Sequence, residues 1–342
     1  MKYSKPMNTN QNSTTTPILE VNNLTTSFQI EGGRWVTAIR GVSFKVCPGE
    51  SLGIIGESGC GKSVTSMSIT RLIPKPIGKI NEGEVLFGGK DLLNESIECV
   101  RQIRGKDISM IFQEPMTSLN PVLTIGEQLM ETVLFHENVS KQVARERSIK
   151  LIEEVGISDA ASRLKNYPHQ LSGGMRQRVM IAMALLCHPK VLIADEPTTA
   201  LDVTIQAQIL QLLANLQKKH NMALIMITHD IGVIAQTCDD VIVMYAGEIV
   251  ETASVKTLFD KPSHPYTEGL LKSVLSTEAT QDKRLSTIEG TVANLSDLPP
   301  GCNFQNRCPY KSVQCEKAAP ELGEVEPMHQ VACFNHLLGR QS

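Results

Sequence analysis

A chain of 342 residues is long enough for about two domains and a substantial core. Lys+Arg 33 against Asp+Glu 36 leaves a formal charge of −3, which offers no basic field to argue for a nucleic-acid partner. Hydrophobic residues at 41% and charged residues at 20% are ordinary globular composition, and no apolar run approaches the length needed to span a bilayer.

Residues 1–16 are polar, Asn/Thr-rich and unpatterned, and are expected to form a disordered tail without the apolar core of an export signal. Ile18 to Phe28 and Val36 to Val46 read as strands on either side of a Gly32-Gly33 turn. Glu50 to Ile55 is a short buried strand, followed by Gly56-Glu57-Ser58-Gly59-Cys60-Gly61-Lys62-Ser63. That stretch fits Gly-x-x-x-x-Gly-Lys-Ser/Thr, and Val64 to Leu72 can continue from it as a helix. Glycines at 56, 59 and 61 allow positive φ and a close approach of backbone to phosphate. Successive N–H groups and a helix N-terminus then form an anion nest, with Lys62 as a mobile charge and Ser63 as a hydroxyl for Mg²⁺. A chance Gly-rich turn would lack this strand–loop–helix context. Phe28 and Trp35 are candidates to stack on an adenine ring, the alternative being that both simply pack.

Further on, Asp107 to Phe112 reads as a strand ending at Gln113, and Thr124 to His136 and Lys141 to Val155 read as helices. Leu171-Ser172-Gly173-Gly174-Met175 interrupts this helical block, and a helix from Arg176 to Cys187 resumes it. Lys190 to Asp195 is an apolar run ended by two acids, Asp195 and Glu196, the expected partners of a phosphate loop. An amphipathic helix from Val203, a strand from Met222 ending at His229, and a strand from Asp240 complete the alternation. The pattern implies an α/β fold with a mostly parallel sheet covered on both faces. From about residue 262 prolines punctuate a stretch with little strand patterning, which reads as a small irregular C-terminal unit. It holds Cys302, Cys308, Cys315 and Cys333, four of nine cysteines. An odd count in a chain without an export signal argues against a disulfide framework. The spacing fits neither a two-pair zinc ribbon nor a bacterial ferredoxin run; four thiols in such a tail favour a metal site over disulfides, with iron–sulfur and zinc both open and unligated thiols as the alternative.

The order of these features resembles the ATP-binding cassette (ABC) ATPases over about residues 18–260: phosphate loop, Gln113, Leu171-Ser172-Gly173-Gly174, strand ending Asp195-Glu196, Ala200-Leu201-Asp202, strand ending His229. The resemblance implies an ABC-type P-loop domain at 17–261 with an inserted helical subdomain at about 114–180, and a C-terminal domain at 262–342. It implies roles position by position. Gly56, Ser58, Gly59, Cys60, Gly61, Lys62, Ser63 and Val64 hold the ATP phosphates, and Phe28 stacks on adenine. Ser63, Gln113 and Asp195 hold Mg²⁺. Glu196 is the general base, assisted by Gln113 and His229. Ser172, Gly173, Gly174 and Asp202 serve the nucleotide held by a second cassette.

His264-Pro265-Tyr266-Thr267 followed by the cysteine stretch is similar to the C-terminal extension of dipeptide/oligopeptide and nickel permease ATPases. In that group Cys302, Cys308, Cys315 and Cys333 match positions that bind a 4Fe-4S cluster in some members. The resemblance implies an ATPase powering peptide import from the cytoplasmic face of the membrane, bound peripherally to two permease subunits. A second, different cassette chain and an extracellular substrate-binding protein complete the implied set, with no nucleic acid. The alternatives are a nickel or other small-solute importer, or a soluble non-transport ATPase of repair or translation.

Overall fold

The computed structural model describes residues 16–113, 118–199, 201–275 and 288–339. The expected tail, but for residue 16, lies outside the described residues, as do Ala200 and the end of the C-terminal unit. Two sheets share the work. The first has the order β2-β1-β4-β5 and is antiparallel throughout, from β1 (Leu19–Gln29), β2 (Trp35–Val46), β4 (Gly78–Phe87) and β5 (Lys90–Asp91).

The second has eight strands in the order β11-β12-β10-β9-β3-β8-β7-β6. Its centre is parallel: β9 (Asp240–Tyr245), β3 (Ser51–Ile55), β8 (Ala223–Thr228), β7 (Val191–Asp195) and β6 (Ile108–Ile111). All residues of β3, β7 and β8 are buried, which is why these strands read as continuous apolar runs rather than alternating ones. Three antiparallel strands extend one edge, β10 (Glu248–Ser254), β12 (His329–Val331) and β11 (Gly323–Glu326).

Helices cover the sheet. Helix α1 (Lys62–Ile69) follows β3, and α2 (Ile97–Ile103) precedes β6. Between β6 and β7 lie α3 (Ile125–His136), α4 (Lys141–Glu154), α5 (Ala160–Arg163) and α6 (Gly173–Leu185). Their cores, Leu129, Val133, Ile152 and Ile181, are fully buried in one apolar cluster with Leu192 and Leu224 of the sheet. Helix α3 begins on a capping box between Thr124 and Glu127. Helix α7 (Val203–His220) buries Ile209, Leu213 and Leu216, and α8 (Ile231–Thr237) follows β8. The C-terminal region adds α9 (Val255–Asp260), α10 (Pro265–Leu275) and α11 (Val313–Lys317). No described helix is long and apolar enough to cross a membrane.

Candidate active site

The phosphate loop leaves β3 at Gly56 and enters α1 at Lys62. Gly59 and Gly61 take φ of 81° and 106°. A Cβ on Gly61 would stand 2.7 Å from Ile39 Cγ2 and one on Gly56 2.3 Å from the Met244 carbonyl oxygen, so both sites exclude side chains by close approach. Lys62 is buried and lies back across the loop, its Nζ donating to the carbonyls of Gly56 at 2.7 Å and Glu57 at 3.1 Å. Cys60 is fully buried below it, and burial pushes its thiol up. Val64 packs on the core at the first turn of α1.

Ser63 Oγ donates to Asp195 Oδ1 at 3.1 Å. Burial raises the Asp195 carboxyl above its ordinary range, opposed by the Ser63 hydroxyl. A hydroxyl and a buried, under-compensated carboxylate meeting at one point fit a hard cation with oxygen ligands such as Mg²⁺.

Glu196 is the meeting point of three neighbouring strand ends. It follows β7 at φ 47°, a left-handed conformation that costs a non-glycine residue energy and must be held by its surroundings. Its N–H donates to Ile227 O in β8 at 2.9 Å. Its carboxylate accepts from Gln113 Nε2 after β6 at 3.0 Å and from Thr199 Oγ1 at 2.9 Å, and meets His229 Nδ1 after β8 at 3.2 Å. The Glu196 side chain is 15% exposed and that of His229 64%, so the cluster opens to solvent on the histidine side. These groups sit at the carboxyl ends of parallel strands, where α/β sheets place their ligands.

Of the expected residues, Ser63, Lys62, Asp195, Glu196, Gln113 and His229 are thus drawn to one end of the sheet. Ser172, Gly173, Gly174 and Asp202 form a second group. Ser172 caps α6, its Oγ accepting from the Met175 N–H, and Asp202 caps α7, accepting from the Ile205 N–H. The two helix starts are neighbours, a Cβ on Gly174 standing 3.0 Å from Ile205 Cγ2. Ser172, Gly173 and Asp202 are exposed. Gln177 Nε2 donates to the Pro197 carbonyl at 2.6 Å and ties the two groups together. Phe28 is half-buried and lies against Gly78, while Trp35 carries Lys79 Nζ 4.3 Å above its ring. Sequence reasoning missed Thr199, which has no motif of its own, and Glu57, Tyr266 and Arg307. Tyr266 lies inside a quoted motif; Arg307 carried no signal beyond its place between two cysteines.

The structure lends the cysteine expectation no support. None of the nine cysteines is in a disulfide. Among the described residues no group of three or more His, Cys, Asp or Glu is placed to hold a metal ion, so the four thiols do not form a closed ligand set. The Cys302 N–H donates to the Cys315 carbonyl, and Cys315 Sγ contacts Ser312 Oγ and Asn335 Nδ2. They remain near enough to interact. Cys333 is pushed up to about 12, by burial first and then by Cys308, Cys302 and Cys315. The donor chemistry suits a soft metal or a cluster; the observed geometry does not.

A glycine-lined phosphate loop facing paired acids defines a P-loop nucleoside-triphosphate-hydrolysing site. The ABC transporter family model matches residues 39–199, and the oligopeptide/dipeptide transporter C-terminal region matches residues 250–315. A dipeptide transport ATP-binding protein of Bacillus subtilis is 52% identical over 93% of this chain and 94% of its own length. A probable peptide ABC transporter ATP-binding protein of Sinorhizobium fredii is likewise 52% identical over 93% of this chain and 94% of its own. A solved dimeric cassette in a post-hydrolysis state bound to ADP and Pi is 29% identical, covering 69% of this chain and 98% of that one at a TM-score of 0.62. The chain belongs to the ATP-binding subunits of the ABC transporter family, in the branch carrying the oligopeptide/dipeptide C-terminal region.

Proposed function

We propose that this chain binds and hydrolyses ATP to drive import of di- and oligopeptides through separate permease subunits. The observation that carries the reading is Glu196, buried on one side and open on the other, held by Gln113, Thr199 and His229 beside the Ser63–Asp195 pair. ATP phosphates reaching the loop replace the Gly56 and Glu57 carbonyls as partners of Lys62. Ser63, Gln113 and Asp195 are the residues that would hold Mg²⁺, which would offset phosphate charge. Glu196 takes the proton of the attacking water, and His229 and Gln113 orient the terminal phosphate and that water. Phe28 supports the adenine.

The start of α6, exposed at Ser172 and Gly173, is a helix N-terminus of the kind that binds anions. It serves the nucleotide of a second cassette, so two cassettes close around ATP and separate after hydrolysis. A groove of about 300 Å³ lined by Met110, Phe112, Thr132, Met180 and Met183 joins the strand before Gln113 to the helical subdomain, and suits an apolar permease element. The complex lies at the cytoplasmic face of the membrane.

Glu196→Gln keeps the shape but not the base. Hydrolysis should fall by about 10²–10⁴-fold while ATP binding survives and paired cassettes accumulate in size measurements. Wild-type turnover in the assembled transporter would sink the assignment. The thiols enter as a separate proposal: Cys302, Cys308, Cys315 and Cys333 are the residues that would hold an iron–sulfur cluster. Iron with acid-labile sulfide in the purified protein supports it, and neither being found removes it.

A further inference from the structure

Glu57, an unconstrained position of the phosphate-loop motif, is held at all three of its polar groups. Its N–H donates to Tyr266 Oη at 2.8 Å. Its carbonyl accepts from Lys62 Nζ at 3.1 Å. Its carboxylate takes a two-pronged pair with Arg307, at 2.6 Å to Nη1 and 3.0 Å to Nη2. Two of the three partners come from the C-terminal region, 209 and 250 residues along the chain.

Arg307 is built for this contact. Its side chain is 4% exposed. Its Nε donates to the Glu289 carbonyl at 3.1 Å and Nη2 also reaches Ile288 O at 3.4 Å. The guanidinium lies 5.8 Å and 5.9 Å from the ring centres of Tyr245 and Phe304, and those rings pack edge-on against each other. Tyr266 closes the same aromatic cluster. A planar fork matched to a carboxylate fixes orientation as well as distance, which a lysine cannot do.

The loop needs such a restraint. Glycines give it the conformations that phosphate requires, and they also give it more freedom to lose on ordering than any other residue. Fixing Glu57 beside Gly56 removes part of that freedom before the nucleotide arrives. We propose that Arg307 is a positioning residue for ATP: through Glu57, and with Tyr266, the C-terminal region sets the shape of the phosphate loop and so the affinity of the site. This rests on the loop being the ATP site. Arg307 itself need not touch the nucleotide.

The test is equilibrium ATP titration of the full chain in wild type, Arg307→Gln, Arg307→Lys, Glu57→Gln and the double variant Glu57→Gln/Arg307→Gln, with thermal melting alongside. Each single Gln variant should weaken ATP about ten-fold, and the double variant should be no weaker than the worse single, because both act through one contact. Arg307→Lys should restore only part of the loss. A folded Arg307→Gln with affinity within two-fold of wild type overturns the proposal, as do single effects that add in full. Should Arg307→Gln fail to fold, Glu57→Gln decides alone: its side chain is 28% exposed and removes the fork's acceptor charge without opening the core. Lys62→Ala separates the two claims. If ATP binding survives it, the reading of the loop fails; if it abolishes binding while the Gln variants bind normally, only the clamp fails.

Discussion

His264 is fully buried, and its Nδ1 accepts the Tyr266 N–H at 3.0 Å, which requires a neutral ring with the lone pair on that nitrogen. Burial pulls its pKa down to about 4, with the Glu251 carboxylate partly opposing. In the unfolded chain the imidazole takes its proton near pH 6.5, so the unfolded state binds more protons between about 6.5 and 4. The contribution is fully present above the upper value and lost as pH falls towards the lower one. Asp240 acts in the opposite sense: burial, then Glu50 and Asp239, raise its carboxyl to about 6, so it favours the folded state as pH falls through that value. Asp240→Asn should therefore uncover the histidine. Denaturant unfolding of that variant at pH 7 and 5 should show a loss larger than in wild type, of about 2 kcal/mol from His264; equal losses in the two proteins would refute it. At this scale the sequence was legible where chemistry and pattern coincide. Asp195 and Glu196 end an apolar run and cannot be idle there, but Thr199 joins them only through a turn that no periodicity marks.

Between elements, the backbone pairing of β10 with β12 is reinforced by one carboxylate. Glu251 is 0% exposed; its Oε1 accepts from the Ser263 N–H at 2.7 Å and contacts His329 Nε2 at 2.8 Å, and its Oε2 accepts from the His264 N–H at 2.9 Å. Buried charge without partners is costly, so each bond here is worth more than a surface contact. His329→Leu keeps an apolar filling but removes one donor, and should cost about 2–3 kcal/mol and several degrees of melting temperature. A melting point within a degree of wild type would show that the two backbone donors suffice. The strands themselves were not legible. β11 reads Gly-Glu-Val-Glu and β12 is three residues long, too short and too polar for alternation to show, and only pairing of β12 on β10 and of β11 on β12 makes them strands. Helix α6 departs from expectation in the same physical way. Its glycines at 173 and 174 argue for a break before Arg176, yet Ser172 caps the helix and it starts at Gly173.

For the molecule as a whole, the alternation of strands with helices was enough to read an α/β architecture, because parallel strands buried on both faces leave uniform apolar runs. The division into two sheets was not, since β1 pairs with β4 some sixty residues away and nothing local specifies the partner. The same holds for the contacts that shape the nucleotide site. Motifs report what each segment can do, whereas Arg307 and Tyr266 matter through what they reach.

The clamp on Glu57 also has an order in time. On the ribosome Glu57 is joined 250 residues before Arg307, which at cellular elongation rates is on the order of tens of seconds. During that interval the glycine loop exists without its fork, however well β3 and α1 have formed. On the clamp proposal, a chain broken off before Arg307 lacks the fork and should bind ATP about ten-fold more weakly than its finished siblings.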